Sequence, residues 1–218
     1  MLAQALAILA QPRDRGPPMA IDLNAVLRDL PAFPRLRGAR TCLRGPHEDD
    51  AAALFAVFSD PAVMRYWSRA PMLEPSEAAG MVVEIADRFG RREMLNWMVA
   101  DPRSDAVIGT CTLFHFDARH RRAEIGYALR SDLWGRGLAS EAVSQVLDWG
   151  FRALGLHRIE ADIDPRNAAS RRLLTRLGFK SEGRLRERFF VGDEATDSEI
   201  FGLLAGDWPY ARGGRGER

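Results

Sequence analysis

The stretch from Ala123 to Gly155, AEIGYALRSDLWGRGLASEAVSQVLDWGFRALG, decides the fold of this chain. Its first residues alternate between two faces, which predicts a strand. One face of that strand carries Ala123, Ile125, Tyr127 and Leu129. After a turn with two glycines the apolar spacing becomes helical, at Ala139, Val143, Val146, Leu147, Gly150, Phe151 and Leu154. The stretch therefore predicts a strand, a glycine turn and a helix, in that order.

This glycine turn is typical of anion-binding sites. Gly135 and Gly137 let the backbone approach a ligand closely, and the first turn of the helix presents free N–H groups. The helix dipole adds positive potential at the same end, which suits a phosphate or pyrophosphate. Two glycines before a helix also occur in ordinary turns, so the motif alone leaves both interpretations open.

Two motifs resemble the GCN5-related N-acetyltransferase (GNAT) superfamily. The run from Trp134 to Ala139 is similar to its phosphate loop, which reads Gln or Arg, two residues, Gly, one residue, then Gly or Ala. Trp at the first position, followed by Ala139 to Ala142 (ASEA), resembles the branch of ribosomal-protein N-terminal acetyltransferases (RimJ/RimL type). A second family pattern, Asn-x-x-Ser ending in Leu-Gly-Phe, is matched by Asn167 to Ser170 and Leu177 to Phe179.

The resemblance implies the α/β (α+β) GNAT acyltransferase fold. That fold has a mixed, largely antiparallel central sheet flanked by helices, with a V-shaped splay between two central strands. The order of elements along the chain agrees with it: a strand, helices, three strands, a helix, a strand, a helix and two strands. A different nucleotide-binding α/β fold is disfavoured, because no full G-x-G-x-x-G run is present and several consecutive strands precede the loop.

The resemblance divides the chain into three segments. Residues 1–40 form an N-terminal extension that prolines break repeatedly, with one short predicted helix at Leu23 to Leu30. Residues 41–209 form the acetyltransferase domain. Residues 210–218 are a Gly/Arg-rich tail that we expect to be disordered. Translation could start at Met1 or at Met19, and the sequence leaves both open.

Composition narrows the class of protein further. With 218 residues, 46% apolar and 28% charged, the chain suits one globular domain, and a net charge of +1 argues against a dedicated nucleic-acid binder. No apolar run approaches the about 20 residues that span a bilayer, and no secretory signal is recognisable. Cys42 and Cys111 have no metal-ligand spacing. We therefore expect a cytoplasmic protein without a metal site or a membrane partner.

The resemblance implies acetyl-CoA as the acetyl donor. Its pyrophosphate would lie on the backbone N–H groups of Trp134, Gly135, Arg136, Gly137, Leu138, Ala139 and Ser140. Its pantetheine arm would pair with the edge of Tyr127, Ala128 and Leu129, and a backbone N–H near Leu129 would stabilise the oxyanion. Asn167 is predicted to cap the next helix, and by resemblance it also contacts the pantetheine.

Two side chains are candidates for proton transfer. Glu124 is the first candidate for general base, directly or through a water, and its structural alternative is an ion pair with Arg119, Arg121 or Arg122. By resemblance Ser170 could protonate the departing thiolate; the alternative is an idle serine in a helix. Part of the family has a glutamate base after the Leu-Gly-Phe motif. Phe189 occupies that position here, with Glu187 two residues earlier.

The predicted function is transfer of an acetyl group from acetyl-CoA to a primary amine in a ternary complex. The amine would belong to a protein N-terminus or a small molecule, and the acceptor pocket would include Tyr66, Trp67, Phe189 and Phe190, with His115 at its border. The absence of a glutamate at Phe189 keeps a second interpretation open, a non-catalytic module that binds or senses acyl-CoA. A homodimer is left open as well.

Overall fold

The computed structural model describes residues 22–209. Its helices are α1 (Leu23–Arg28), α2 (Ala51–Phe58), α3 (Pro61–Met64), α4 (Pro75–Gly90), α5 (Leu138–Arg152) and α6 (Ala168–Arg176). Its strands are β1 (Leu36–Arg37), β2 (Cys42–Arg44), β3 (Met94–Ala100), β4 (Val107–Asp117), β5 (Arg122–Leu129), β6 (Arg158–Ile163), β7 (Lys180–Val191) and β8 (Glu194–Leu204). The predicted strand, glycine turn and helix of the central stretch are thus β5, the turn and α5.

All the strands form one sheet, in the order β1-β2-β3-β4-β5-β6-β8-β7. Neighbouring strands run antiparallel except β5 and β6. These two are parallel because α5 returns the chain to the end of the sheet at which β5 begins. This architecture confirms the predicted α/β class and the GNAT fold.

The parallel strands β5 and β6 pair through only a few residues. Its register runs from Arg122 opposite Arg158 to Glu124 opposite Glu160, while β5 continues to Leu129 and β6 to Ile163. Beyond Glu124 no residue of β5 is in register with β6 within the described chain. The two strands diverge there, so the predicted V-shaped splay is confirmed.

Apolar layers cover both faces of the sheet. On one face Ala123, Ile125 and Leu129 pack in the same cluster as Val143 and Leu147 of α5. On the other face Ala128 packs with residues of α2 and α4. The alternation in the sequence therefore predicts correctly which β5 residues face α5. The face toward α4 carries Glu124 and Gly126 next to Ala128, and it is there that a groove opens.

The described part of the predicted N-terminal extension packs onto the domain. Leu23 and Leu27 of α1 are buried in the cluster that contains α5, and β1 pairs with β2 through Leu36 opposite Leu43. The boundary at residue 40 stays a prediction, but residues 23–40 are structurally part of the same core. The start at Met1 or Met19 and the tail at 210–218 lie outside the described residues.

A buried ion pair fixes β2 to two turns. The guanidinium of Arg44 bonds both carboxylate oxygens of Asp50, at 2.7 and 2.9 Å, and reaches Asp105 at 2.9 Å. Only 7% of each side chain of the Arg44–Asp50 pair is exposed. Burial raises the pKa of Asp50, but hydrogen bonds from Arg44 and from the backbone N–H of His47 outweigh it and hold the pKa below its usual range.

Removing Arg44 should be costly, because Asp50 would be left as a buried charge without a partner. We expect Arg44→Met to lower the free energy of unfolding by about 3–5 kcal/mol at pH 7, measured by urea denaturation. A matched control is Arg91→Met, which removes an exposed pair with Glu93 and should change the free energy of unfolding far less than Arg44→Met does.

The same pair sets a pH dependence. The pKa of Asp50 is lower in the folded state, so its contribution is present above the unfolded Asp pKa of about 3.9 and is lost as the pH falls through the folded value. The stability difference between wild type and Arg44→Met should therefore shrink below about pH 3.9. A stability difference between wild type and Arg44→Met that stays constant down to pH 2.5 would contradict this role for the pair. So would equal losses of unfolding free energy at pH 7 in Arg44→Met and Arg91→Met.

Candidate active site

The open edge of β5 provides backbone groups for a ligand. The N–H of Arg130 donates to the carbonyl of Ile108 at 2.9 Å, and Leu129 stands opposite Gly109. Hydrogen-bonded and non-hydrogen-bonded pairs alternate along an antiparallel ladder, so the backbone groups of Tyr127 and Leu129 point away from β4. They face the gap where β6 leaves β5, and an extended ligand could pair with them there.

Ala128 takes a different place from its two neighbours. It stands opposite Thr110, in a pair whose backbone groups bond across to β4, and its side chain is buried. Its share of the predicted pantetheine pairing is therefore not supported. Ala128 contributes packing beneath the edge, while the backbone groups of Tyr127 and the N–H of Leu129 face the gap.

The loop before α5 has the conformation of an anion site. Gly135 and Gly137 have φ angles of 75° and 76°, in the left-handed region that favours glycine, and Gly137 is the N-cap of α5. Left-handed residues alternating with others turn successive N–H groups toward one side, which makes an anion-binding concavity. Leu138, Ala139 and Ser140 follow as the first turn, whose N–H groups have no intrahelical partner.

Trp134 ties this loop to the end of β5. Its indole Nε1 donates to the carbonyl of Leu129 at 2.8 Å, and about half of the side chain stays exposed. Arg136, the next predicted loop residue, bonds the carbonyl of Asp132 at 3.2 Å. The tryptophan that departs from the usual family motif therefore supplies a fixed contact between the loop and the open strand edge.

A groove of about 840 Å³ is lined by residues from α4, from β5 and β6, and from the start of α6. Four of the predicted site residues line it together: Glu124, Tyr127, Asn167 and Ser170. Its walls include Tyr66, Trp67 and Phe189, as predicted for an acceptor pocket. Phe190 is not part of the lining and is 67% exposed, so its place in that pocket is wrong. The loop 134–140 is also outside the lining, near the other end of the gap.

Glu124 lies in this groove with a histidine as partner. Its Oε1 is 3.1 Å from Nδ1 of His115, and 21% of the Glu124 side chain is exposed, against 70% for His115. His115 has a φ of 50° at a bulge of β4, which turns its ring toward β5. Arg122 instead pairs with Glu160 at 3.0 Å, so the structure does not show the predicted ion pair of Glu124 with a neighbouring arginine.

Asp162 is a second carboxylate of the groove, and sequence reasoning missed it. Burial raises its pKa, and the charge of Glu124 raises it further, while Ser198 and Arg188 act in the opposite direction. Arg188 lies 3.3 Å from it. A signal was available in the sequence: the polar residues of β6 alternate with apolar ones, which predicts a polar face that includes Asp162.

Ser170 and Tyr127 bring two hydroxyls together at the inner end of the groove. Asn167 caps α6, since its Oδ1 accepts the N–H of Ser170 at 3.0 Å, which confirms the predicted cap. Burial raises the pKa of Tyr127 to about 12, and the neighbouring Ser170 hydroxyl opposes that shift. The Tyr127 hydroxyl is buried and has no partner in hydrogen-bond geometry within the described residues. The Tyr127 hydroxyl is therefore neutral at physiological pH.

Glu187 does not replace the glutamate that part of the family carries at the position of Phe189. A bulge between Leu185 and Phe189 breaks the alternation of β7, and Glu187 has a φ of 52° there. Its backbone N–H donates to Asp197 at 2.8 Å, and its side chain does not line the groove. Phe189 does line the groove, so this position gives an apolar wall.

The structure offers no thiol at the groove. Cys42 and Cys111 are free and buried, and neither lines it. Burial raises the pKa of the Cys111 thiol, which makes it a poor nucleophile. Within residues 22–209 no group of three or more His, Cys, Asp or Glu residues could hold a metal ion. No described helix has the length and apolar character needed to cross a membrane.

An open strand edge beside a helix N-terminus, meeting a groove with carboxylates, is the arrangement of an acyl-CoA-dependent acyltransferase. Comparison with known proteins agrees, because residues 40–180 match the family model described as an acetyltransferase (GNAT) domain. The chain belongs to the GNAT acetyltransferase family.

Relatives of this chain extend the match. The uncharacterized N-acetyltransferase YoaA of Bacillus subtilis is 36% identical over 172 residues, which is 79% of this chain and 97% of the relative. Spermidine N(1)-acetyltransferase of Escherichia coli is 27% identical, over 70% of this chain and 79% of the relative. The structure of Mycobacterium smegmatis RimJ in complex with CoA-disulfide has a TM-score of 0.70 at 26% identity, covering 81% of this chain and 88% of that one.

These matches confirm the prediction that the protein is an N-acetyltransferase, an enzyme that moves an acetyl group to an amine. They also confirm the resemblance to the RimJ-type branch. The alternative of a non-catalytic acyl-CoA module finds no support in them.

A side chain at Gly137 should abolish coenzyme binding. A Cβ there would be strained at a φ of 76° and would come within 3.3 Å of the Arg40 guanidinium, and a carboxylate would also repel a phosphate. We expect Gly137→Glu to weaken acetyl-CoA binding at least about 100-fold, or about 2.7 kcal/mol, by calorimetric titration.

Gly192 provides the matched control. It has a φ of 60° in the β7–β8 turn with nothing near its missing Cβ, so Gly192→Glu carries the same kind of backbone strain away from the loop. That variant should keep wild-type affinity for acetyl-CoA. Equal affinity in Gly137→Glu and Gly192→Glu, with both folded by circular dichroism, would remove the loop from the binding site.

Proposed function

We propose that this enzyme transfers an acetyl group directly from acetyl-CoA to a primary amine within a ternary complex. One observation carries the proposal: Glu124, Ser170 and Tyr127 line one groove, and Tyr127 lies on the part of β5 that is not paired with β6. A donor on that edge and an amine in the groove would meet without any transfer to the protein. The absence of a thiol from the groove lining supports the same route.

The residues present fit acetyl-CoA. The backbone N–H groups of residues 134–140 would hold the pyrophosphate, since two left-handed glycines and a helix N-terminus converge there. The backbone groups of Tyr127 would pair with the pantetheine arm, and Asn167 lines the same groove as Tyr127. When bound, acetyl-CoA supplies an acetyl thioester that an amine can attack.

Glu124 is the proposed general base. Amines reach the groove mainly as ammonium ions, because their pKa is near 10, and the carboxylates of Glu124 and Asp162 favour such a cation. Glu124 then takes a proton from the nitrogen, directly or through a water. His115 lies 3.1 Å from Glu124 and is 70% exposed, so it can pass that proton to solvent.

The acetyl thioester needs a hydrogen-bond donor for its oxygen and a proton donor for its departing sulfur. The N–H of Leu129, aimed into the gap, would donate to the acetyl oxygen as negative charge develops there. The hydroxyl of Ser170 would give its proton to the departing sulfur when the C–S bond breaks, and it would recover the second proton that the nitrogen loses as the amide forms, directly or through a water. The buried hydroxyl of Tyr127, beside Ser170, would orient that serine.

The groove supports a small-molecule amine as acceptor. Its volume of about 840 Å³ lies within the range typical of small-molecule sites, about 300–1,000 Å³. A protein N-terminus is the other candidate, and spermidine is the acceptor in the name of one relative. We also propose a cytoplasmic location, because the described cysteines are free thiols.

The first test is calorimetric titration with acetyl-CoA, followed by release of free thiol against a panel of amines, polyamines, amino acids and N-terminal peptides. We expect micromolar binding and acceptor-dependent thiol release, with small amines ahead of peptides. Release with peptides alone would overturn the small-molecule assignment. Binding without release from any acceptor of the panel would count against the proposed transfer, and no binding would remove acetyl-CoA as the donor.

Glu124→Gln tests the base. We expect kcat to fall by about 10²–10⁴-fold, because the amine loses its proton acceptor, while the Kd for acetyl-CoA changes less than about twofold. Glu160→Gln is the matched control: Glu160 is the register partner of Glu124 with the same 21% side-chain exposure, but it lies outside the groove lining. Similar turnover in both variants would exclude Glu124 as the base.

A further inference from the structure

The guanidinium of Arg40 forms hydrogen bonds with backbone carbonyls of the phosphate loop, residues 134–140. It donates to the carbonyl of Arg136 at 2.8 Å and to that of Gly137 at 3.5 Å, and its Nε reaches Glu141 at 2.9 Å. These contacts join residues about 100 positions apart in the sequence. Arg40 precedes β2, so the first paired strands of the sheet position it.

These bonds orient the N–H groups of the loop. In a trans peptide the C=O and N–H point in opposite directions, and no cis peptide is present within residues 22–209. The carbonyl of Arg136 shares a peptide with the N–H of Gly137, and the carbonyl of Gly137 shares one with the N–H of Leu138. With both carbonyls turned to Arg40, both N–H groups point away from it, toward the side where an anion can bind.

Arg40 also balances a negative charge near the N-terminus of α5. Glu141 lies in the first turn of α5, where its negative charge would oppose the binding of a phosphate. Its Oε1 accepts the backbone N–H groups of Arg40 and Thr41 at 2.7 and 3.0 Å, and the Thr41 hydroxyl at 3.1 Å. The Arg40 guanidinium pairs with Oε2, so the carboxylate is satisfied and its charge is balanced.

We propose that Arg40 is a positioning residue for the coenzyme's pyrophosphate. It fixes the two loop carbonyls so that their peptides present N–H groups to the anion, and it cancels the charge of Glu141. This inference rests on the proposed use of acetyl-CoA. It assigns a role in donor binding to a residue at the boundary of the predicted N-terminal extension.

The test compares two donors that differ in the pyrophosphate. Arg40→Met should raise the Kd for CoA, and the KM for acetyl-CoA, by about tenfold or more, because charge-assisted hydrogen bonds are lost. The kcat at saturating donor should stay within about twofold. With S-acetylpantetheine, which lacks the pyrophosphate, kcat/KM should be unchanged within about twofold.

Two further variants separate this role from a general structural one. Arg37→Met removes an exposed arginine of β1 that forms no hydrogen bond or ion pair with residues 134–140 in the described part of the chain, and it should leave both donors unaffected. Glu141→Gln combined with Arg40→Met should recover part of the affinity lost in Arg40→Met alone, because the unbalanced negative charge is gone.

The outcomes are distinguishable from failure of the proposed function. If the wild-type protein does not bind CoA, the proposed function itself is contradicted. Wild type that binds, with an equal loss of kcat/KM for both donors in Arg40→Met, would show a merely structural residue and overturn the inference. An unchanged Kd for CoA in Arg40→Met would overturn it as well.

Discussion

The site depends on one constraint, the short parallel pairing between β5 and β6. Three residue pairs, from Arg122–Arg158 to Glu124–Glu160, join two halves of the sheet that are otherwise antiparallel. Backbone groups left without a partner are costly unless water or a ligand satisfies them. The strands separate after Glu124, so the edge of Tyr127 and Leu129 becomes available inside the molecule rather than at its rim. The groove, the loop before α5 and the start of α6 all lie around that gap.

The charges around the gap are divided between its two ends. At the loop end, Arg40 balances Glu141, and the N–H groups of α5 are left to face an anion. At the groove end, Asp162 pairs with Arg188, while Glu124 has the exposed His115 as its partner and is the carboxylate that we propose to meet an ammonium ion. In the proposed reaction, a donor with a pyrophosphate and an acceptor with a positive charge would be drawn to opposite ends, and their reactive atoms would meet at β5. This division explains why one short strand can serve both substrates.

Particular elements show how far the sequence could be interpreted. The alternation of β5, the helical period of α5 and the Asn167 cap were all predictable, because each depends on neighbours within a few residues. β1 was missed because a strand of two residues, Leu36–Arg37, has no period to detect. Phe190 was misplaced because it follows Phe189 in β7 and therefore faces the other side, and a bulge between Leu185 and Phe189 removes Glu187 from the face that Phe189 occupies. A single residue of register reverses a strand's faces, and the sequence gives no sign of the bulge.

The sequence by itself determined the local elements and the backbone roles: a strand, a left-handed glycine turn and a helix N-terminus follow from residue types and spacing in one stretch. It also named Glu124 and Ser170, which the structure brings into one groove. The tertiary structure alone decided the partners. His115 meets Glu124 through a bulge, Asp162 joins them across the splay, and Arg40 reaches the loop from about 100 residues away. The reason is physical: periodicity and capping are short-range, whereas the pairing of charges depends on how the strands of the sheet are ordered.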